Sequence, residues 1–323
     1  MEATDSTETM AREAMVMNLL REQLFVCMDI SQSADILGEV CRRAGISVEE
    51  VAAVLTSPPC ETYSVADATN QTRGNHYRDH KDEGKPPRSL ESCHTEAEFQ
   101  KREKAIKHDL MVQQLIQGLI TRKQQGGEFE IVMENPVGSL AKQDCIKSGP
   151  WTDITVQQKV DYCAYGKKYR KATNIWTTLK NWEPKGVTGN GRCGWKCGQW
   201  CEVGTHCSER TDEVTTRIGR QHKQAIGAEP SRLPRGPQQR QKIWSIPEML
   251  QQEILDAMPE NTSGAKYMVD LFSGGESWRR QVEAKGYIYI GVDLRRATGS
   301  AKSSKEGSPE GEEGELLWRA PAP

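Results

Sequence analysis

A cysteine stands directly after two prolines and a short apolar segment. Residues 51–56 (VAAVLT) have the length and composition of a buried strand, and Pro58, Pro59 and Cys60 follow it. The two prolines fix the backbone, so the thiol is presented at the carboxyl end of the strand, where open α/β sheets bind ligands. A thiol held in this way is suited to nucleophilic catalysis. A structural cysteine in a proline-rich loop is the alternative for this motif taken alone.

A glutamate occupies the corresponding place after another apolar segment. Residues 129–133 (FEIVM) predict a buried strand, which Glu134, Asn135 and Pro136 bring to an end. If the two strands are neighbours, Glu134 lies beside Cys60 at the same edge of the sheet. A carboxyl group that burial keeps protonated can donate a hydrogen bond to a ring nitrogen. An ordinary surface glutamate before a proline is the alternative.

A glycine turn and a distant acid have the pattern of a nucleoside-binding site. Residues 267–275 (YMVDLFSGG) predict a strand that runs into two glycines, and Asp293 ends the next predicted strand about 20 residues later. Glycines let the backbone approach a ligand, and the acid binds ribose hydroxyls. Without a P-loop lysine pattern, the ligand need not carry phosphate. The candidate cofactor-binding residues are Asp270, Phe272, Ser273, Gly274, Gly275 and Asp293.

Four cysteines lie close together in a region rich in glycine. They are Cys193, Cys197, Cys201 and Cys207. Four thiols at short spacing could hold one structural zinc ion in tetrahedral geometry. Cysteine pairs separated by two residues are absent, and a loop with reduced thiols is the alternative.

Taken together, these motifs resemble those of the DNA cytosine-5 methyltransferases, and most closely the short forms found in phage-like genomes. The resemblance extends over residues 24–295 and also includes Tyr165-Gly166 to Trp176 and Ile246-Pro247 to Ile254. The order of the motifs differs, because the Asp-Leu-Phe-Ser-Gly strand begins the catalytic domain of the family and lies near the end here. We interpret this order as a circular permutation. The new ends fall between the second and third strands of the family fold, at a surface connection.

The resemblance implies transfer of a methyl group from S-adenosylmethionine to carbon 5 of a cytosine flipped out of double-stranded DNA. Cys60 would add to carbon 6 of the base while Glu134 binds its N3 atom. Arg170 and Lys171 would hold the flipped nucleotide, although a solvated basic turn is an equal alternative. The residues expected at the substrate are Pro59, Ser64, Arg73 and Asn135.

Asp29 matches the acid that contacts the adenine ring of the cofactor in the family, with a helix N-cap or a surface acid as the alternative. Two features depart from the family pattern. Glu276 follows Gly274 and Gly275 where the family has a further glycine, and no clear arginine–glutamine motif precedes the Ile246-Pro247 segment.

The elements that must position these residues alternate between helices and strands. The periodicity predicts the helices 11–21, 33–45, 99–123, 245–258 and 278–286, and the strands 24–30, 51–56, 129–136, 160–166, 172–178, 267–271 and 287–294. This alternation predicts an α/β fold. With the resemblance, it implies a circularly permuted, Rossmann-like methyltransferase fold with a small recognition insertion.

The chain is expected to divide into a catalytic body, an insertion and two tails. The predicted ranges are a disordered N-terminus at 1–10, a catalytic part that starts with the third strand at 11–185, a recognition insertion with the cysteine loop at 186–243, the cofactor-binding strands at 244–295, and a disordered acidic tail at 296–323.

Charge and composition narrow the class of protein. The formal net charge of the 323 residues is only −2, but basic blocks lie at 165–185 and 217–242 and an acidic block at 306–315. This asymmetry is typical of proteins that bind polyanions, although an ordinary solvated surface is the alternative. No apolar stretch reaches the length of a membrane span, and no secretion signal is evident. We expect an intracellular monomer that is not secreted, nuclear in a eukaryotic or viral setting.

Two rival functions remain at this stage. The same thiol chemistry serves RNA cytosine methyltransferases, and a catalytically inactive DNA-binding relative would keep the fold. Intact Cys60 and Glu134 argue against the inactive relative. Adenine methylation is disfavoured, because its motif places an aromatic residue after the two prolines, where this chain has a cysteine.

Overall fold

A computed structural model describes most of the predicted catalytic body. The described residues are 25–28, 33–64, 67, 76–167, 171–193, 245–260, 264–273 and 277–293. They form one seven-stranded sheet with helices on both faces, so the predicted α/β class is confirmed. Among the helices in these ranges, none is long and apolar enough to cross a membrane.

The strands are short and mostly buried. They are β1 (Phe25–Cys27), β2 (Val51–Thr56), β3 (Glu130–Pro136), β4 (Val156–Asp161), β5 (Ala172–Thr177), β6 (Tyr267–Leu271) and β7 (Ile288–Asp293). Their order in the sheet is β1-β7-β6-β2-β3-β5-β4. The first five strands of this order are parallel, whereas β5 pairs antiparallel with both β3 and β4.

The helices connect and cover these strands. They are α1 (Ile36–Ala44), α2 (Glu96–Gln124), α3 (Asp144–Lys147), α4 (Gly149–Ile154), α5 (Glu248–Asp256) and α6 (Arg279–Ala284). Asp35 caps α1 by accepting a hydrogen bond from the Gly38 amide at 3.1 Å, and Gly45 ends it in the left-handed conformation. A reciprocal capping box between Thr95 and Glu98 fixes the start of α2.

The chain connections that follow β6 and β2 run in opposite directions along the sheet. From β6 the chain passes through α6 to β7 on one side, and from β2 it passes through α2 to β3 on the other side. Connections that leave in opposite directions open a crevice at the carboxyl ends of the two central strands, which is where such sheets bind ligands. The topology therefore points to the residues that follow β2 and β6.

The two faces of the sheet carry separate cores. On one face α1 and α2 pack against Val54, Ile131 and Val269, and Leu115 and Ile116 of α2 are fully buried there. On the other face α5 and α6 pack against side chains of β2, β3 and β6; the strand residues are Ala53, Leu55, Val132 and Met268. Both cores are continuous apolar clusters, which fixes the register of the strands.

One predicted element is wrong in its bounds. The strand expected at 160–166 begins earlier, because Val156 to Asp161 form β4, and residues 162–165 form a 3₁₀ helix. The polar side chains of β4 concealed it, since the first four residues of this edge strand alternate between half-buried and exposed. The four residues of the 3₁₀ helix are all buried, and an apolar run does not distinguish such a turn from a strand.

Several predictions fall on residues that the structure does not describe. These are the helix at 11–21, the tails at 1–10 and 296–323, and the recognition insertion beyond residue 193. The start of that insertion is described and contacts β4, since the Asp161 amide donates to the Gly191 carbonyl at 2.8 Å.

Candidate active site

Glu134 lies on β3, and Cys60 lies in the loop that follows the neighbouring parallel strand β2. Thr56, the last residue of β2, is in register with Met133 of β3, so Glu134 is the next residue along. Because β2 and β3 are neighbours, Glu134 and the loop with Cys60 lie at the same edge of the sheet. Pro58 and Pro59 lead the chain from β2 to Cys60, whose side chain is exposed to solvent.

Glu134 and Asp270 point to the same face of the sheet. Tyr162 donates a hydrogen bond to Oε1 of Glu134 at 2.6 Å, and Tyr289 donates to Oδ2 of Asp270 at 2.6 Å. Both tyrosines belong to the core on the side of α5 and α6. The acid beside the cysteine and the acid of the nucleoside motif therefore share one side of the sheet.

Asn135 holds the proline loop rather than facing solvent. Its side chain is only 1% exposed, and Nδ2 donates to the Pro58 carbonyl at 2.9 Å. This bond ties the end of β3 to the loop that carries Cys60. Asn135 was predicted at the substrate, and the contact observed for it is with the protein.

The backbone after Cys60 is fixed against the segment that follows β3. Ser64 forms an isolated bridge with Gly138, and the Ser139 amide donates to the Tyr63 carbonyl at 2.8 Å. A Cβ atom at position 138 would lie 2.0 Å from the Tyr63 carbonyl oxygen, so only glycine permits this approach. Ser64, a predicted substrate residue, is half-buried at this bridge.

A buried arginine, Arg78, fixes the loop that follows Cys60. Arg78 is fully buried, its Nε donates to the Thr62 carbonyl at 2.7 Å, and its Nη1 donates to the Lys85 carbonyl at 3.0 Å. It also pairs with Asp109 of α2 and stacks on the Tyr63 ring, 4.3 Å from its centroid. Sequence analysis missed Arg78, because nothing in a polar loop marks one arginine as buried.

Replacing Arg78 with methionine is expected to destabilise the fold by about 2–3 kcal/mol. Two backbone carbonyls lose their donor, and Asp109 loses its partner. The decrease in the free energy of unfolding stays below that for a fully buried ion pair because the Asp109 side chain is 26% exposed. Urea unfolding would measure the change, with Arg42→Met as the control, since the Arg42 side chain is 70% exposed. Equal stability of the two variants would contradict the anchoring role of Arg78.

The thiol of Cys60 is partly desolvated, although the residue is accessible from solvent. Desolvation by the surrounding loop raises the pKa of Cys60 above its ordinary value. The positive charge of Lys171 lowers this pKa, and the negative charge of Glu134 raises it. The resting side chain is therefore a thiol that must lose its proton before it can act as a nucleophile.

Lys171 reaches Glu134 across the sheet. Its Nζ lies 3.2 Å from Oε1 of Glu134 and 4.7 Å from the centroid of the Tyr162 ring. Its side chain is 13% exposed and that of Glu134 is 7% exposed, so little water screens the pair. Lys171 was predicted to hold the nucleotide, and the contact observed for it is with the glutamate. The structure does not describe its predicted companion, Arg170.

Replacing Lys171 with glutamine is expected to slow the alkylation of Cys60 by iodoacetamide at pH 8. The lysine lowers the pKa of Cys60, so its loss raises that pKa and reduces the thiolate fraction at a given pH. The midpoint of the alkylation rate against pH should move upward. Lys180→Gln, at an exposed position after β5, is the control and should leave the midpoint unchanged. A downward shift in Lys171→Gln would contradict this account.

The segment after β6 has the features of a ligand cradle. Phe272 adopts a left-handed backbone with a φ of 69°, which costs energy for any residue other than glycine. Ser273 is 4% exposed, and no partner for its Oγ is found among the described residues. Its amide donates to the Val292 carbonyl at 3.0 Å, which brings the turn close to the end of β7, where Asp293 lies half-buried.

Several predicted site residues lie outside the described part of the chain. They are Asp29, Arg73, Gly274, Gly275, Cys197, Cys201 and Cys207. Cys193 is buried, and its amide donates to Asp161 at 3.0 Å. In the ranges that the structure describes, no three His, Cys, Asp or Glu side chains are placed to hold a metal ion.

The site thus lies at the carboxyl edge and not in a closed cavity. A cavity of about 440 Å³ lies between α2 and the segment 143–148, and neither Cys60 nor Glu134 lines it. At the carboxyl edge, by contrast, Cys60, Glu134 and Lys171 come from three separate segments. No known protein family and no curated protein matches the sequence of this chain.

Proposed function

We propose that this protein is a DNA cytosine-5 methyltransferase. The observation that carries the proposal is the placement of Cys60 after β2 beside Glu134 of β3, with Lys171 acting on both. A thiol and a carboxyl group side by side can attack a pyrimidine ring and bind its nitrogen at the same time. They lie next to the crevice between β2 and β6, where a second ligand can enter.

The sheet order supports a permuted Rossmann-like fold. If β6 is counted as the first strand, β7, β1, β2 and β3 become the second to fifth, and the parallel part of the sheet reads 3-2-1-4-5. This is the doubly wound order of nucleotide-binding domains. β7 and β1 are adjacent and parallel, as the second and third strands are in that order.

The cradle after β6 fits S-adenosylmethionine. Asp270, Ser273 and Asp293 would hold the cofactor. The buried Ser273 hydroxyl, which has no partner among the described residues, and an acid at the next strand end suit a nucleoside with free hydroxyls. The left-handed backbone of Phe272 turns the chain directly after the end of β6. When bound, the cofactor would supply an electrophilic methyl group, because the sulfur of its sulfonium would keep the electrons of the broken S–CH3 bond and leave as a neutral thioether.

In the first step, Cys60 loses its proton to solvent while Glu134, which pairs with Lys171 in the free protein, takes up a proton from solvent. The thiolate electron pair then forms a bond to carbon 6 of the flipped cytosine. The electrons of the 5,6 double bond move into the ring while N3 takes a proton from Glu134. Carbon 5 thereby becomes nucleophilic. The raised pKa of Cys60 makes its deprotonation a cost that rises as the pH falls.

The second step releases the enzyme. Once carbon 5 carries the methyl group, N3 returns its proton to Glu134 and carbon 5 loses its own proton to solvent. The electrons of that C–H bond restore the 5,6 double bond, and the bond to Cys60 breaks with its electrons on sulfur. The thiolate and the carboxyl group are then ready for another turnover.

Transfer of a tritiated methyl group to two nucleic acids tests this proposal. We expect labelling of unmethylated duplex DNA and of no cytosine in transfer RNA, together with a covalent complex on duplex DNA that contains 5-fluorocytosine. Labelling of transfer RNA alone would assign the protein to the RNA cytosine methyltransferases. Absence of both label and covalent complex would overturn methyl transfer altogether.

A further inference from the structure

Tyr162 is a buried hydroxyl donor that the mechanism has not used. Its side chain is fully buried, and its hydroxyl donates to Oε1 of Glu134 at 2.6 Å. Lys171 donates to the same oxygen at 3.2 Å and lies over the Tyr162 ring. Two donors therefore converge on Oε1, while no donor to Oε2 is found in the described part of the chain.

The two oxygens of Glu134 are consequently not equivalent. An oxygen that accepts a hydrogen bond from a hydroxyl and another from an ammonium group is poorly placed to carry a proton itself. When Glu134 is protonated, the proton belongs on Oε2. The same two donors stabilise the negative charge that appears on Oε1 when the proton leaves.

We propose that Tyr162 is a positioning residue that directs the Glu134 proton to Oε2, the oxygen that faces N3 of the cytosine. The proposal rests on the proposed function, and it assigns the donor that keeps Glu134 in the orientation the first step requires. As the bond to Cys60 forms, the proton passes from Oε2 to N3, and the resulting carboxylate keeps its hydrogen bond from Tyr162. The ring of Tyr162 also supports Lys171 through a cation–π contact.

The same helical turn provides a matched control. Tyr165 is 2% exposed, and its hydroxyl donates to Oε1 of Glu253 at 3.1 Å. Tyr165→Phe therefore removes a buried hydroxyl–carboxylate hydrogen bond from the same 3₁₀ helix. It leaves Glu134 untouched, so it reports the cost of losing such a bond for structural reasons alone.

Methyl transfer to duplex DNA is the first readout. We expect Tyr162→Phe to lower kcat about 10- to 100-fold with little change in KM for DNA, because the lost hydrogen bond matters most when charge develops on Glu134. Tyr165→Phe should retain the wild-type kcat. Equal kcat values in Tyr162→Phe and the wild type would overturn the inference while leaving the proposed function in place.

Alkylation of Cys60 by iodoacetamide is the second readout, and it needs no methyltransferase activity. Without Tyr162, the charge on Glu134 is less neutralised, so the alkylation midpoint should move to higher pH in the Tyr162→Phe protein. It should not move when Tyr162→Phe is added to Glu134→Gln, since the lost hydroxyl acts on the thiol through the carboxylate and the phenylalanine ring keeps the contact with Lys171. An equal shift in both backgrounds would reduce Tyr162 to a packing role and overturn the inference, even for a protein without activity on DNA.

Discussion

Replacing Cys60 with alanine is expected to abolish methyl transfer, with a loss of about 10⁴-fold or more. The bond to carbon 6 needs a nucleophile, and because Glu134 and Lys171 pair with each other, the Cys60 thiol is the one that these three residues offer. The covalent complex with 5-fluorocytosine DNA should disappear in the same variant. Scintillation counting of labelled DNA and a denaturing gel would measure the two losses.

Cys93→Ala is the matched control for that experiment. Cys93 is a free, half-buried cysteine in the loop before α2, and its thiol donates to the Ser89 carbonyl at 3.5 Å. It should retain full activity and the covalent complex. Substantial methyl transfer by Cys60→Ala would show that the reaction proceeds without a thiol nucleophile and would end the proposed mechanism.

Replacing Glu134 with glutamine is expected to have two opposite effects. Methyl transfer should fall by about 10²- to 10⁴-fold, since the amide cannot give a proton to N3. The thiol should become more reactive, because Glu134 raises the pKa of Cys60 and its loss lowers that pKa. At pH 8 the variant should therefore react faster with iodoacetamide and methylate DNA more slowly than the wild type.

Glu130→Gln is the control at the other end of the same strand. Glu130 is the first residue of β3, four residues before Glu134, and it accepts a hydrogen bond from Thr178. It should change neither rate by more than a small factor. Slower alkylation in Glu134→Gln would mean that the carboxylate does not act on the thiol, and unchanged methylation would remove Glu134 from the reaction.

The strands that carry the candidate site could be predicted because they are mostly buried. The segment 51–56 is apolar apart from Thr56, and its predicted bounds are those of β2. The strand at 129–136 differs from β3 by one residue and ends at a proline, and Pro58 follows the end of β2 by two residues. From these ends alone, the approximate places of Cys60 and Glu134 follow.

The partners of these residues could not be predicted in the same way. Tyr162 follows β4 and approaches Glu134 because β5 pairs antiparallel with both β4 and β3, and a sequence does not contain those pairings. Arg78 reaches Thr62 through the folded path of a polar loop without periodicity. In both cases the contact joins segments that no local pattern relates, so only the folded chain reveals which tyrosine and which arginine serve the site.

The position of β6 in the sheet has a consequence for folding during synthesis on the ribosome. β6 lies between β7 and β2, yet residues 267–271 are made after most of the other strands. Until they emerge, β2 has an unpaired edge, and β1, whose hydrogen-bonded neighbour is β7, has nothing to join. The nascent chain therefore exposes the unpaired edge of β2 until β6 has been made, and an exposed strand edge favours aggregation.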